Sequence, residues 1–115
     1  MGQAVALAPN DAYAWCGKAG ISVKARRFPE ALAAANRAIA LDPASAFAWS
    51  LQADALNNLG RYHEALAAAE YAIRLDGTSP QGWLFKANAL RGLGRTREAQ
   101  VAYDRADALY DSLDE

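Results

Sequence analysis

The chain has 115 residues, with 12 Lys and Arg against 13 Asp and Glu and a formal net charge of −1, so it offers no bulk attraction for nucleic acid or an anionic membrane. Its one cysteine, Cys16, cannot form an internal disulfide and suits a reducing compartment. No apolar run approaches the ~18 residues of a membrane span, and the first residues lack the basic and apolar regions of a secretory signal.

In chain order, residues 1–11 come first. Ala4-Val5-Ala6-Leu7-Ala8-Pro9-Asn10-Asp11 parallels Ala38-Ile39-Ala40-Leu41-Asp42-Pro43-Ala44-Ser45, and so predicts the end of a helix whose first part is missing. Residues 12–45 form a first unit of two helices. Arg26 stands at the corner between them, Pro29 enters the second helix, and Asp42-Pro43 closes the unit. Proline is tolerated there because an N–H in the first helical turn would have no intrahelical partner.

Residues 46–79 repeat the plan. A first helix is expected over Ala46 to Leu59, with Trp49, Ala53 and Leu56 at the i, i+4, i+7 spacing of an apolar face. Gly60 ends it by accepting the left-handed conformation of a helix C-terminus. Arg61-Tyr62-His63 is expected to turn the chain. A second helix follows from about Glu64 to Leu75, its apolar face marked by Ala65, Leu66, Ala69, Ala72 and Ile73. Asp76-Gly77-Thr78-Ser79 breaks it. Residues 80–115 begin again with Pro80-Gln81-Gly82-Trp83 and keep Gly94. Thr96, however, stands where Phe28 and Tyr62 would pack, which predicts a looser third corner.

Trp15, Trp49 and Trp83 stand 34 residues apart, and their surroundings recur with them: Glu30-Ala31, Glu64-Ala65 and Glu98-Ala99, then Ala38, Ala72 and Ala106. Self-similarity at a fixed period means one structural unit in several copies, stacked so that neighbours bury each other's apolar faces. The expected fold is therefore all-α, an α-solenoid of antiparallel helix pairs: three units plus a partial N-terminal helix. Neither end is covered by a further repeat or polar cap. The chain thus reads as a fragment of a longer array, with Met1-Gly2 as an added start.

The unit resembles the tetratricopeptide repeat (TPR). The residues that carry the likeness are Trp15, Trp49 and Trp83; Ala19, Ala53 and Ala87; Phe28 and Tyr62; Ala31, Ala65 and Ala99; Ala38, Ala72 and Ala106; Tyr103; and Pro43. Lys18, Gln52 and Lys86 depart from it where the family has Leu, Ala35 and Ala69 hold an aromatic place, and Gly77 and Asp111 stand where Pro is usual. The resemblance implies a right-handed superhelix whose concave face is lined by the first helix of each pair. It also implies the ligand-facing positions. They are Tyr13, Cys16, Gly20, Val23 and Lys24; then Phe47, Ser50, Asp54, Asn57 and Asn58; then Gln81, Leu84, Asn88, Arg91 and Gly92. The function implied is a protein–protein interaction scaffold that binds a peptide segment.

The residues themselves suit that function. Asn57, Asn58 and Asn88 cluster on one expected face although Asn is a poor helix former, and side-chain amides can both donate to and accept from a peptide backbone. Chaperone-binding family members hold two carboxylates with Lys, Arg and Asn. At the matching positions this chain has Cys16, Gly20, Leu51, Gln81 and Phe85, and none fits that clamp. Lys24 and Arg91 remain able to hold one acidic group.

Other chemistry has little material. His63 is the sole His and has no nucleophile or ligand implied by spacing, Cys16 has no base to activate it, and no phosphate-binding glycine motif occurs. No catalysis, metal or cofactor is expected, nor a nucleic-acid or membrane partner. Arg26, Arg27, Arg61, Arg95 and Arg97 crowd the helix corners beside Glu30, Glu64 and Glu98, which reads as a solvated edge of i,i+3 ion pairs. Asp104, Asp107, Asp111, Asp114 and Glu115 make one side of the last helix acidic. Two further readings stand beside the peptide groove: a self-assembly module joined through uncapped repeat ends, and the accessory array of a larger enzyme. An Ala-rich composition with Arg favoured over Lys points to a bacterial source, and the cytoplasm is the default location.

Overall fold

The computed structural model describes residues 11–113 as six helices and, among those residues, no strand. The helices are α1 (Ala12–Lys24), α2 (Phe28–Leu41), α3 (Ala46–Asn58), α4 (Tyr62–Leu75), α5 (Pro80–Gly92) and α6 (Thr96–Leu113). They stack as hairpins, α1 on α2, α3 on α4 and α5 on α6, and each hairpin packs on the next through α2 on α3 and α4 on α5. The first helices of the pairs (A helices: α1, α3, α5) also touch in sequence, while α2, α4 and α6 form the B layer. The result is an α-solenoid measuring 49 × 34 × 23 Å. The expected helix end before Asp11, and Asp114 and Glu115, lie outside the described residues.

Local chemistry explains each boundary. The carboxylate of Asp11 accepts from the Tyr13 and Ala14 N–H groups, and the Ser45 hydroxyl accepts from Ala48 N at 3.1 Å, which satisfies donors that have no helical partner. At α5 Pro80 takes the first position, where no N–H is needed. The A–B corners all use the left-handed C-terminal motif. Arg26, Gly60 and Gly94 have φ of 61°, 77° and 80°. The next N–H reaches back to the last turn, Arg27 to Ser22 O at 2.8 Å, Arg61 to Leu56 O and Arg95 to Leu90 O at 2.9 Å. The third corner, expected to be looser, therefore keeps the same backbone bonds.

Helix α4 begins at Tyr62, two residues earlier than expected, and so His63 lies exposed in its first turn and not in a connecting turn. The Arg61 guanidinium grips Glu64 through two bonds of 2.8 and 2.7 Å across that turn, and Arg95 grips Glu98 with the same geometry. Between hairpins, Asp42 and Asp76 fold the chain back by accepting from Ala44 N and Thr78 N. The indoles of Trp49 and Trp83 then donate to Pro43 O (2.8 Å) and Gly77 O (3.0 Å), which ties each A helix to the turn before it.

Alanine sets the spacing of the core. Ala19, Ala31, Ala35, Ala38, Ala53, Ala55, Ala65, Ala69, Ala87 and Ala89 are wholly buried, so backbones approach closely and larger side chains pack around them in three clusters. Trp15 and Ile39 pack against the first; Leu32, Trp49, Leu66 and Phe85 against the second; Leu66, Trp83 and Tyr103 against the third. Leu66 joins the second cluster to the third.

Candidate functional site

Two clefts open along the A-helix layer. The larger, about 530 Å3, lies between α1 and α3 and reaches the start of α5; Gly17, Gly20, Ile21, Phe47 and Leu51 make it mostly apolar, and Val23, Lys24 and Gln81 also line it. The smaller, about 360 Å3, lies between α3 and α5 and is polar, walled by Asn57, Asn58, Asn88, Arg91 and Gly92 with the Tyr62 ring at one end. Asp54 lines both. A single groove thus passes from an apolar half to a polar half across one carboxylate.

The expected positions separate into distinct environments. Phe47 is 51% exposed at the mouth of the apolar cleft. Cys16 forms part of its floor and is only 2% exposed; burial pushes its thiol pKa up, against a hydrogen bond with Ser45, so it is not an activated nucleophile. Ser50 departs from the groove reading. It is 3% exposed, and its hydroxyl donates to Phe47 O at 2.8 Å, turning it into its own helix. Tyr13 is exposed beyond the clefts, and half-buried Leu84 lines neither of them.

The amides differ as well. Asn58 Nδ2 donates to Asp54 O at 2.8 Å and Asp54 Oδ1 at 3.1 Å, within one helix. Asn57 Nδ2 crosses to α5 and donates to Phe85 O at 3.0 Å, while its buried Oδ1 receives nothing. Asn88 Oδ1 accepts from the Tyr103 hydroxyl at 2.5 Å, and the Arg91 guanidinium stands 5.8 Å from the centre of that ring. Burial raises the Asp54 carboxyl above its ordinary 3.8, the bond from Asn58 opposing it.

Sequence reasoning missed Gly17, Ile21 and Tyr62. Ile21 is 71% exposed, and its signal was present: Tyr13, Gly17 and Ile21 follow at i, i+4, i+8 along one face of α1. Tyr62 carries no comparable signal, since it comes from a B helix. On the opposite side of the stack, the Lys residues that replace the family's Leu have a use. Lys18 and Arg37 flank the Trp15 ring at 5.1 and 5.8 Å, and Lys86 and Arg105 flank Trp83 at 5.3 and 5.8 Å. Among the described residues no group of three metal-type side chains gathers, and no helix is long and apolar enough to cross a membrane.

A family model for the tetratricopeptide repeat matches the chain over residues 1–46, 23–80 and 50–114. No curated relative matches the sequence. Among solved structures, the second TPR of Spaghetti (RPAP3) bound to the HSP90 peptide SRMEEVD is 26% identical, with a TM-score of 0.79 over 85% of this chain and 91% of that one. The first TPR domain of human RPAP3 is 21% identical, with a TM-score of 0.82 over 88% and 80%. The Arabidopsis OM64 TPR domain is 22% identical, with a TM-score of 0.81 over 85% and 81%.

Proposed function

The chain belongs to the tetratricopeptide repeat family, and we propose that it is a non-catalytic scaffold whose A-helix groove holds an extended peptide segment of another protein. The observation that carries this reading is the pair of adjoining clefts with an exposed apolar anchor at one end and amides at the other. Phe47 and Ile21 supply apolar contact, with Tyr13 at the margin. Asn58, Asn88 and Arg91 offer hydrogen bonds that set register. The Spaghetti TPR domain held with its peptide supports the mode of use. It does not carry over the ligand, because Cys16, Gly20, Leu51, Gln81 and Phe85 replace the cations and amides of a carboxylate clamp.

Binding energy concentrates in a few anchors, so Phe47→Ala is expected to weaken any retained peptide by ~1–3 kcal/mol. Calorimetry on a peptide selected from a random display library measures this, and an unchanged affinity refutes the groove. Leu84→Ala, outside both clefts, is expected to cost less.

Self-assembly is the second reading, favoured by Val101 and Leu113, each 68% exposed on α6. Light scattering over a concentration series separates the two, since a rising mass abolished by Val101→Lys with Leu113→Lys would assign that face to association. As the accessory array of a larger enzyme, the chain would keep the same groove. A bacterial source and a cytoplasmic setting complete the proposal.

A further inference from the structure

Two acceptors in the groove, the Asp54 carboxylate and Asn57 Oδ1, have no cationic partner among the described residues. Asp54 lines both clefts, and among the described residues its one side-chain hydrogen-bond partner is Asn58, one turn along its own helix. Among the described residues no ion pair within 4.0 Å reaches it. One turn away on the same helix, Asn57 Oδ1 is buried with no donor. The groove holds one cation in each cleft: Lys24 lines the apolar cleft, and Arg91 lines the polar one, 5.8 Å from the centre of the Tyr103 ring on α6. The equivalent places in the neighbouring repeats do not repeat the feature, since one is Gly20 and the other, Asn88, is taken by Tyr103.

A half-buried carboxylate with no ion pair within 4.0 Å is costly to the free protein, and a donor-bearing ligand relieves that cost. The adjoining cleft limits which ligand. A Cβ added at Gly17 or Gly20 would meet nothing within 4 Å, so the α1 wall is open, and Ile21 beside it and Phe47 and Leu51 from α3 add apolar surface. That is the shape for an aliphatic stem ending in a cation. On the reading that the groove binds a peptide, we propose that Asp54 selects a Lys or Arg side chain, whose methylenes lie in the α1–α3 cleft and whose cationic head pairs with the carboxylate. The partner is then a segment that is basic at this position, the reverse of an acidic tail.

The test uses the full 115-residue chain and three pools of end-blocked hexapeptides, each with one fixed Leu. One pool has Lys and Arg as its only charged residues, one has Asp and Glu, and one is uncharged. At ionic strength of about 0.15 M the basic pool should be retained about tenfold or more over the others, the scale of one charge pair in a partly desolvated site. Asp54→Asn should reduce the basic pool to the uncharged level while the thermal melt shows the variant folded. A preference that survives Asp54→Asn, or a preference for the acidic pool, overturns the inference. Pools that bind equally and are lost on Phe47→Ala leave the groove standing and remove the basic specificity alone. Failure to retain any pool removes both.

Discussion

At the scale of single residues, two positions are held at a cost to stability. Asp54 is one. Its folded pKa is raised by burial, so the neutral form is favoured in the fold. The stability tied to that proton is fully present below the ordinary value of 3.8 and is lost as pH rises through the folded value. Asp54→Asn keeps the shape and can still accept from Asn58. It is expected to raise the melting temperature near neutral pH and to leave it unchanged near pH ~3, as paired melts would show. A variant less stable at neutral pH would mean that the carboxylate is already satisfied. Arg26 is the other, a side-chain-bearing residue at φ 61° where its counterparts are glycine. Arg26→Gly removes the Cβ strain, offset in part by glycine's larger unfolded entropy. Denaturant titration should show a net gain of about 0.5–1 kcal/mol.

At the scale of helices, α1 pairs strong capping with weak propensity. Asp11 caps it and a left-handed corner ends it, yet Gly17 and Gly20 sit in its interior. Interior glycine costs about 0.5–1 kcal/mol relative to alanine, and nothing stands where a Gly17 Cβ would go. Gly17→Ala is therefore expected to stabilise the chain by about that amount while narrowing the apolar cleft. Its check is a pair of readings, stability rising and peptide affinity falling. If both rise, the open wall is not used. The B helices follow another logic. With no side-chain cap on α2 or α4, they rely on Glu30 and Glu64 in the first turn, where a negative charge meets the helix dipole.

At the scale of the whole molecule, hairpins are coupled by side chains that reach past their own unit. The Tyr62 ring covers Gly92 so closely that an added Cβ there would overlap the ring. Gly92→Ala should push Tyr62 aside, loosen the second hairpin against the third and cost about 1–3 kcal/mol, with the denaturant slope falling as the transition loses cooperativity. An unchanged midpoint and slope would show that Tyr62 is not a coupling contact. Trp49 extends the same principle, since its indole is tied to Pro43 O in the turn before its own unit.

The 34-residue recurrence of Trp15, Trp49 and Trp83 was enough for the repeat, the helix pairs and the family, because each rests on spacing along the chain. The entry of Pro29 and the left-handed helix end at Gly60 were legible for the same reason: they involve neighbours within a turn. The start of α4 was misplaced by two residues, although α2 and α6 begin at the same place in the repeat, Phe28 and Thr96. Spacing could not tell that Tyr62 lies over Gly92, or that Asn57 Nδ2 reaches Phe85 O. These are contacts between helices, set by the depth of packing across alanine seams. Asp54 shows the division most clearly. Its place on an A-helix face follows from the period, but its position lining two clefts at once, with Lys24 in one and Arg91 in the other, exists only once three hairpins are stacked.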